Sequence, residues 1–527
     1  MRLLWPAQVR ALDERTSSEL GLGPEMLMET AGRGVVDAIV ARIGGDGAGR
    51  LATVLCGAGN NGGDGFVVAR ELHDRGYRVH AWAVGDPSKM SEAAALHHDA
   101  CVRSGCKPRW TQDAPTGHEQ KTLHRSLLRS TVIVDALLGI GPSAELRDPL
   151  RGWVAQLDGR HEALKVAIDV PSGLCATSGR ILGVAAHVDL VVTMAAAKPG
   201  LWLGAGPSLW RELVVVDIGV PRRWLAGATP TIQLLDDAEV AAMLPPRPDD
   251  AYKNRFGHLL VVAGSPGRSG AALLASQAGL RGGAGLVTLA TGGEVRTRLE
   301  GQVPDLMVEA IRGGAAEAAR VAKLLAGKAA IVVGPGMGTT SADIDLLGRL
   351  CDGAEGPLVL DADALTILGE KPAAAAAAVG RLVLTPHPGE AARLLGVEVP
   401  EVLVEPLAAA RQIATRFGAV VVLKGSRTLV VDAERLAIVP TPEPALAVAG
   451  TGDVLAGLIG ALLAQGCTPW VAACLGVAVH NRAGAAVATS VGRRASTASD
   501  VLGAIGAVWL ALDALVPARP HPANAGD

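Results

Sequence analysis

The sequence predicts an α/β fold built as two successive parallel-sheet domains. Three observations carry that prediction. The chain has 527 residues, more than one ordinary core holds. Short, fully apolar runs ending in glycine loops alternate with helical stretches. The pattern breaks once, where proline and charge cluster, and then restarts.

The first set of apolar runs is LATVLC (51–56), YRVHAWAV (77–84), TVIVDALLG (131–139), LKVAIDVPSG (164–173) and VDLVVTM (188–194), with helical stretches such as 64–75 and 91–104 between them. Runs with no polar alternation need both faces covered, so they read as parallel strands with helices on either side. The character changes over 221–250, and 228–250 reads as a linker region. The second set is GHLLVVAGS (257–265), GLVTLAT (285–291), AAIVVGPGMG (329–338), PLVLDADAL (357–365), RLVLTPHPGE (381–390) and AVVVLKGS (419–426), followed by a helix over 453–465. The expected domains are therefore 1–227 and 251–517, with 518–527 as a frayed tail.

Composition narrows the function classes. Hydrophobic residues make up 49% and charged residues 19%, so the chain folds rather than remaining disordered. Aromatics are only 3% while Gly numbers 66, which suits close helix-on-sheet packing and not a base-stacking surface. A net charge of -3 without long one-sign runs argues against nucleic-acid or anionic-membrane partners. The seven cysteines form no CxxC pair, so buried thiols are expected rather than a disulfide framework or zinc site. The opening lacks a signal-peptide core, and no apolar stretch of about 20 residues runs free of charge or turn signals. A cytoplasmic protein is expected. Its Ala/Gly-rich helices would suit close packing between subunits of a homo-oligomer.

In open parallel sheets ligands bind at the carboxyl ends of the strands, and here the polar clusters fall at such ends. GAGNNGGDG (57–65) follows a strand and opens a helix. It formally satisfies GxGxxG, with Asp86 after the next strand, yet the tract Asn60-Asn61-Gly62-Gly63-Asp64 is too polar for an ordinary dinucleotide fingerprint. Asp64 reads either as a helix cap or as a binding group. Asp135 and Asp169 each end an apolar strand, where a carboxylate is costly unless paired, metal-bound or used. With Asn61 and Ser172 they form a hard-oxygen set suited to K+, Na+, Mg2+ or Ca2+ rather than zinc. Capping of loop amides remains the alternative for both aspartates.

LMETAGRGV (27–35), GAGNNGGDGFVVAR, VDALLGIG and IDVPSG resemble, in the same order, the NAD(P)H-hydrate epimerase domain over most of 1–225. The resemblance implies a Rossmann-like three-layer sandwich. It implies that Asn60, Asn61, Gly62, Gly63 and Asp64, with the loop Gly139, Ile140, Gly141, Pro142, Ser143, Ala144 and Glu145, contact a hydrated nicotinamide nucleotide. It further implies that Asn61, Asp135 and Ser172 hold K+, and that Asp169 meets the reacting end as a catalytic group. Lys89 is a weaker candidate for its partner.

In the second half, AVAGTGDVLAGLIGALLAQG (447–466) carries the strongest chemical signal. The turn Gly450-Thr451-Gly452 leads into an apolar helix whose free amides and dipole suit an anion. Asp453 stands beside it as a potential base for a substrate hydroxyl, a combination phosphoryl transfer needs; a simple N-cap is the alternative. LKGSRT (423–428), GPGMG (334–338), TPHPGE (385–390) and DADAL (361–365) end other strands. Together these resemble the ADP/ATP-dependent NAD(P)H-hydrate dehydratase of the ribokinase-like fold over roughly 235–510.

That resemblance implies an α/β/α domain in which Lys424, Gly425, Ser426, Arg427, Thr428 and Gly452 hold ADP or ATP with Mg2+. Ala271, Gly338, His387 and catalytic Asp453 would face the hydrated cofactor. Tyr252 stands before Lys253 where the family usually has His, and Thr366 follows DADAL where it often has Asn. The two halves together imply a fused enzyme that epimerises and dehydrates NAD(P)HX. A small-molecule kinase of the ribokinase-like class, an NAD-dependent dehydrogenase and a non-catalytic nucleotide binder are the competing readings. The front-half motifs argue against a plain kinase, and the intact Asp135, Asp169 and Asp453 against the non-catalytic binder.

Overall fold

The computed structural model describes residues 2–45, 47–159, 162–228, 232–248, 250–311 and 317–515. The chain forms two compact units, Arg2–Ile232 and Gln233–Asp527. The tail 518–527 lies outside the described residues.

In the N-terminal unit seven parallel strands lie in the order Arg109–Thr111, Arg78–Val84, Leu51–Gly57, Val132–Ala136, Leu164–Ile168, Leu190–Met194, Glu212–Val216. The chain starts at Leu51–Gly57, builds outward to one edge, then returns to build the other side. Its switch point lies between Leu51–Gly57 and Val132–Ala136, where a crevice opens at the strand ends. The helix Asn60–Asp74 starts there. It lies so close to the strand that a Cβ on Gly62 would stand 1.7 Å from the Gly57 carbonyl oxygen.

The C-terminal unit repeats the logic with different sequence. Its parallel strands run Ala419–Leu423, Leu382–Leu384, Leu358–Leu360, Ala330–Val333, His258–Val262, Leu286–Thr291, Met307–Ala310. The antiparallel strands Leu429–Val431 and Leu436–Ile438 extend it beyond Ala419–Leu423, with Ile232–Leu234 next to Leu436–Ile438. The switch point falls between His258–Val262 and Ala330–Val333.

The strands not foreseen from the sequence are Arg2–Leu3, Arg109–Thr111, Glu212–Val216, Ile232–Leu234, Met307–Ala310, Leu429–Val431 and Leu436–Ile438. Edge strands such as Glu212–Val216 are partly exposed and so lack a continuous apolar run. The hairpin strands are buried but only three residues long. The segment read as linker carries structure of its own: the helix Asp237–Ala242 inserts Val240, fully buried, into the C-terminal core.

That core is built around the helix Thr451–Ala464, which packs against the helix Ser269–Arg281. A Cβ on Gly457 would lie 2.0 Å from the backbone oxygen of Ala275, so only glycine permits this approach. The helix Pro469–Ser490 has the length and apolarity of a membrane span, but its apolar residues are buried in the same core. Gly457→Ala should destabilise the C-terminal unit by about 1–3 kcal/mol, read as a lower midpoint in thermal unfolding. Gly503→Ala, on an exposed helix face with open space around it, should not lower the midpoint. Equal midpoints for both variants would contradict the close packing.

Candidate active sites

The strand ends at the N-terminal switch point open into a cavity of about 1150 Å³. Of the residues singled out from sequence, Asn60, Asn61, Asp64, Gly139, Ile140, Gly141, Pro142 and Asp169 line it, as do Asp86 and Lys89. Gly62, Gly63, Ser143, Ala144 and Glu145 are not among the lining residues. Gly62 and Gly63 are buried on the helix face that meets the rest of the unit, so packing explains these two glycines.

Asp169 follows the strand Leu164–Ile168 with φ at 70°, a left-handed conformation unusual for a residue with a side chain. Its amide donates to the Val192 carbonyl at 2.7 Å, which locks that geometry. The carboxylate oxygen Oδ1 accepts from Thr193 Oγ1 at 2.9 Å, from the Met194 amide at 3.4 Å and from Lys198 Nζ. Lys198 is completely buried, and its ammonium also donates to Thr193 Oγ1 and the Met194 carbonyl, each at 3.0 Å. Asp169 is therefore paired with Lys198, and not with Lys89. A buried ion pair of this kind is tolerable only when its remaining donors and lone pairs are satisfied. Lys198 was not picked out from the sequence. Its signal was a charged residue in the apolar segment that follows VDLVVTM.

Two more carboxylates share this neighbourhood. Asp13, on the helix Pro6–Leu20, lines the cavity. Burial pushes its carboxyl up to about 6, with Lys198 pulling down and Asp169 pushing up. Asp64 is raised well above the usual range, by burial first and then by Asp169 and Asp13. Three carboxylates around one ammonium cannot all ionise cheaply, so the protons stay on the less well compensated ones.

Asp135, 1% exposed, ends the neighbouring strand. Its carboxylate accepts from Ser172 Oγ at 2.5 Å, the Ser172 amide at 2.8 Å and the Leu137 amide at 3.3 Å. Burial nonetheless lifts it to about 6 against those hydrogen bonds. Asn61 reaches the same loop, since a Cβ on Gly139 would stand 2.9 Å from Asn61 Oδ1. A carboxylate, an amide oxygen and a hydroxyl are thus brought to one loop with an unmet need for positive charge. That donor chemistry fits a monovalent hard cation.

In the C-terminal unit, Gly450 takes φ of 92° and hands the chain into the helix Thr451–Ala464. Thr451 Oγ1 ties the turn down through the Leu446 and Val448 carbonyls at 2.8 and 3.0 Å. Asp453 lies in the first helical turn. Burial, then the charges of Asp361 and Asp363, raise it to about 7 against the pull of Lys424. A Cβ on Gly452 would sit 3.4 Å from Lys424 Nζ and 4.0 Å from Asp361 Oδ2, which places the turn beside that pair.

Lys424 bridges Asp361 Oδ1 at 2.9 Å and Glu390 Oε2 at 3.7 Å. Burial alone would lower its ammonium, but the two carboxylates outweigh it and hold it above the usual range. Asp361 also accepts from Thr385 Oγ1 at 2.7 Å. The lysine expected to bind phosphate is therefore already anchored between carboxylates. Arg427 donates to the Pro440 carbonyl at 3.0 Å, and burial brings it down to about 10. Gly425 and Ser426 are exposed in the hairpin turn after Ala419–Leu423, with Thr428 at its far end.

His387 caps the helix Pro388–Leu395, its Nδ1 accepting from the Gly389 and Glu390 amides at 3.0 and 3.3 Å. With Nδ1 accepting, a ring proton sits on Nε2, which stands 3.6 Å from Glu390 Oε1. Capping and site functions coexist in this residue. Gly338 donates its amide to Asp363 Oδ2 at 2.9 Å, and Arg268 pairs with the same oxygen at 3.0 Å. Ala271 adjoins the GPGMG loop, 3.3 Å from where a Gly336 Cβ would be.

Each unit thus carries a strand-end site with a lysine–aspartate pair and a second aspartate of raised pKa, which defines a two-site α/β enzyme. The family model of NAD(P)H-hydrate dehydratase matches residues 259–505, and that of the YjeF-related protein N-terminus matches 24–200. The bifunctional NAD(P)H-hydrate repair enzyme Nnr of Moorella thermoacetica is 36% identical, covering 95% of each chain. That of Salinibacter ruber is 38% identical, covering 95% of this chain and 94% of the other. The solved ADP/ATP-dependent NAD(P)H-hydrate dehydratase from Bacillus subtilis, co-crystallized with ATP/Mg2+, is 28% identical at a TM-score of 0.46, covering 53% of this chain and 98% of that one. The chain belongs to the family of bifunctional NAD(P)H-hydrate repair enzymes.

Lys198→Met should destabilise the N-terminal unit by about 3–5 kcal/mol near neutral pH, because Asp169 is left buried and uncompensated. Thermal unfolding of the two proteins at neutral pH measures it, and matching midpoints would show that the pair does not hold the unit together.

Proposed function

We propose that the chain repairs hydrated NADH and NADPH, its N-terminal unit interconverting the R and S forms of NAD(P)HX and its C-terminal unit dehydrating the S form. The observation that carries this reading is Asp453. A carboxyl raised to about 7 beside a glycine turn at a helix start is equipped to take a hydroxyl proton while the turn receives phosphate.

In the dehydratase the substrate hydroxyl gives its proton to Asp453 and attacks the terminal phosphorus of the nucleotide. The bond to the nucleotide breaks, releasing AMP from ADP or ADP from ATP. Phosphate then leaves the ring carbon with its bonding electrons while a neighbouring carbon loses a proton, restoring the double bond. Phosphorylation makes a poor leaving group into a good one. ADP is the phosphate donor in this reading. Gly452 and the segment Lys424, Gly425, Ser426, Arg427 and Thr428 hold the nucleotide. Lys424, pinned by Asp361 and Glu390, offers a fixed charge rather than a mobile one. His387 offers Nε2–H to the substrate, and Ala271 and Gly338 shape its pocket. Mg2+ supplies charge neutralisation at the phosphates.

In the epimerase Asn60, Asn61, Asp64 and the loop from Gly139 to Pro142 bind the hydrated nucleotide, and Asp169 serves at the reacting carbon. Asn61, Asp135 and Ser172 would hold K+, whose charge would offset the buried Asp135 carboxylate.

Hydrated NADH incubated with ADP or ATP should recover nicotinamide absorbance; no recovery with either nucleotide would overturn the dehydratase reading. Asp453→Asn should abolish recovery and leave epimer exchange intact, whereas Asp169→Ala should slow consumption of the R form alone. Because Asp453 must be ionised to act as a base, kcat/KM for dehydration should rise with pH through about 7 and fall below it. A flat profile from pH 5 to 8 would remove Asp453 from that role. Replacing K+ by Li+ should slow epimer exchange and lower the N-terminal unit's melting midpoint, with dehydration of the S form unchanged. Equal behaviour in both salts would leave the Asp135 loop without a cation.

A further inference from the structure

We propose that Asp13, on the helix Pro6–Leu20, is the proton-donating partner of Asp169 in epimerisation, and that Lys198 is the positioning residue that holds the Asp169 carboxylate in place. This rests on the epimerase reading of the N-terminal cavity. Two positioned groups are needed to invert a carbon without net chemistry, one taking a proton as the other gives one. The cavity provides them from different elements. Asp169 stands at a strand end, and Asp13 comes from the N-terminal helix that forms part of the wall. The hydrogen bonds that Asp169 accepts all fall on Oδ1, leaving Oδ2 without a protein partner among the described residues. Asp13 Oδ1 is likewise buried without a hydrogen-bond partner among the described residues. An orphaned carboxyl oxygen is costly unless it has work to do.

The surrounding charges set the roles apart. Asp13 faces Glu14 on its own helix, Asp64 of the helix Asn60–Asp74, Asp169 and Lys198. Arg10, Asp86 and Lys89 line the same cavity. Lys198 spends its hydrogen bonds on Asp169, Thr193 and Met194. Asp13 is left compensated only at a distance, and it holds its proton up to about pH 6. Asp64, on the helix Asn60–Asp74, is also held toward its protonated form, by burial first, and suits a fixed donor to the substrate.

The hydroxyl of a hydrated nicotinamide sits on the carbon bonded to the ring nitrogen. Asp169 takes the hydroxyl proton. The carbon–nitrogen bond breaks with its electron pair going to nitrogen, and Asp13 gives its proton to that nitrogen. The carbon becomes an aldehyde and turns about its remaining carbon–carbon bond. The nitrogen then adds to the opposite face, and both protons return. No oxidant, reductant or external group is consumed.

The test uses the full chain, with R and S forms resolved by chromatography and dehydration of pre-formed S form measured in parallel. Asp13→Asn should lower kcat for exchange about 100-fold or more with KM within about threefold, while dehydration is unchanged. Its residual exchange should no longer decline as pH rises, a change that a merely structural aspartate would not produce. Asp13→Glu, which keeps the carboxyl, should recover part of the rate and guards against a folding defect in the Asn variant. Exchange in water enriched in oxygen-18 should leave the label largely out of the product. Full kcat in Asp13→Asn, a loss confined to KM, or one labelled oxygen gained per turnover would each overturn the proposal. Absence of exchange in the unmodified chain would instead overturn the epimerase reading beneath it.

Discussion

Burial of carboxylates at the carboxyl ends of parallel strands is the constraint on which both units depend. Asp135, Asp169 and Asp361 are 1%, 8% and 1% exposed, and each stands where an apolar strand gives way to a loop. Left alone, such a charge would cost several kcal/mol. Each is answered differently. Asp169 has Lys198 and a threonine hydroxyl, Asp361 has Lys424 and Thr385, and Asp135 has the hydroxyl and amide of Ser172. Where the answer is complete, the side chain becomes a fixed element of the site. Where it is incomplete, as at Asp135, Asp13 and Asp453, the carboxyl shifts toward neutrality and becomes able to hold a proton nearer to neutral pH.

The same arrangement appears in both units because the sheet topology repeats. A chain that starts in mid-sheet, builds to one edge and then crosses to the other leaves a crevice at the switch point. Loops from adjacent strands meet there without competing for space. Glycine makes the convergence possible, since Gly62 and Gly457 allow a helix to approach a backbone oxygen that any side chain would strike. The scarcity of aromatics and abundance of Gly and Ala follow from this style of packing.

Much of the site was legible in the sequence, but unevenly. Asp453, Asp169 and Asp135 stood out because a carboxylate closing an apolar run has few structural uses. Asn60, Asn61 and Asp64 stood out because they make a glycine turn unusually polar. Gly62 and Gly63 were legible as a motif, but a motif alone does not tell a contact with ligand from a contact with neighbouring backbone. Lys424 was read correctly as a strand-end cation. Its engagement with Asp361 and Glu390 was hidden, because those partners lie at the end of another strand and in the helix Pro388–Leu395.

By itself the sequence determined the alternation of buried strands and covering helices, the existence of two parallel-sheet halves, and the strand-end positions where chemistry is placed. These follow from local patterns of apolar runs and glycine turns, which depend on near neighbours in the chain. Only the tertiary structure decided which charges meet. Asp13 and Lys198 are separated from Asp169 by long stretches of chain, and no local pattern links them. Pairing is set by which strands lie side by side and which helix closes the crevice. Those distances decide which carboxylate is paired with an ammonium and which keeps a proton to give.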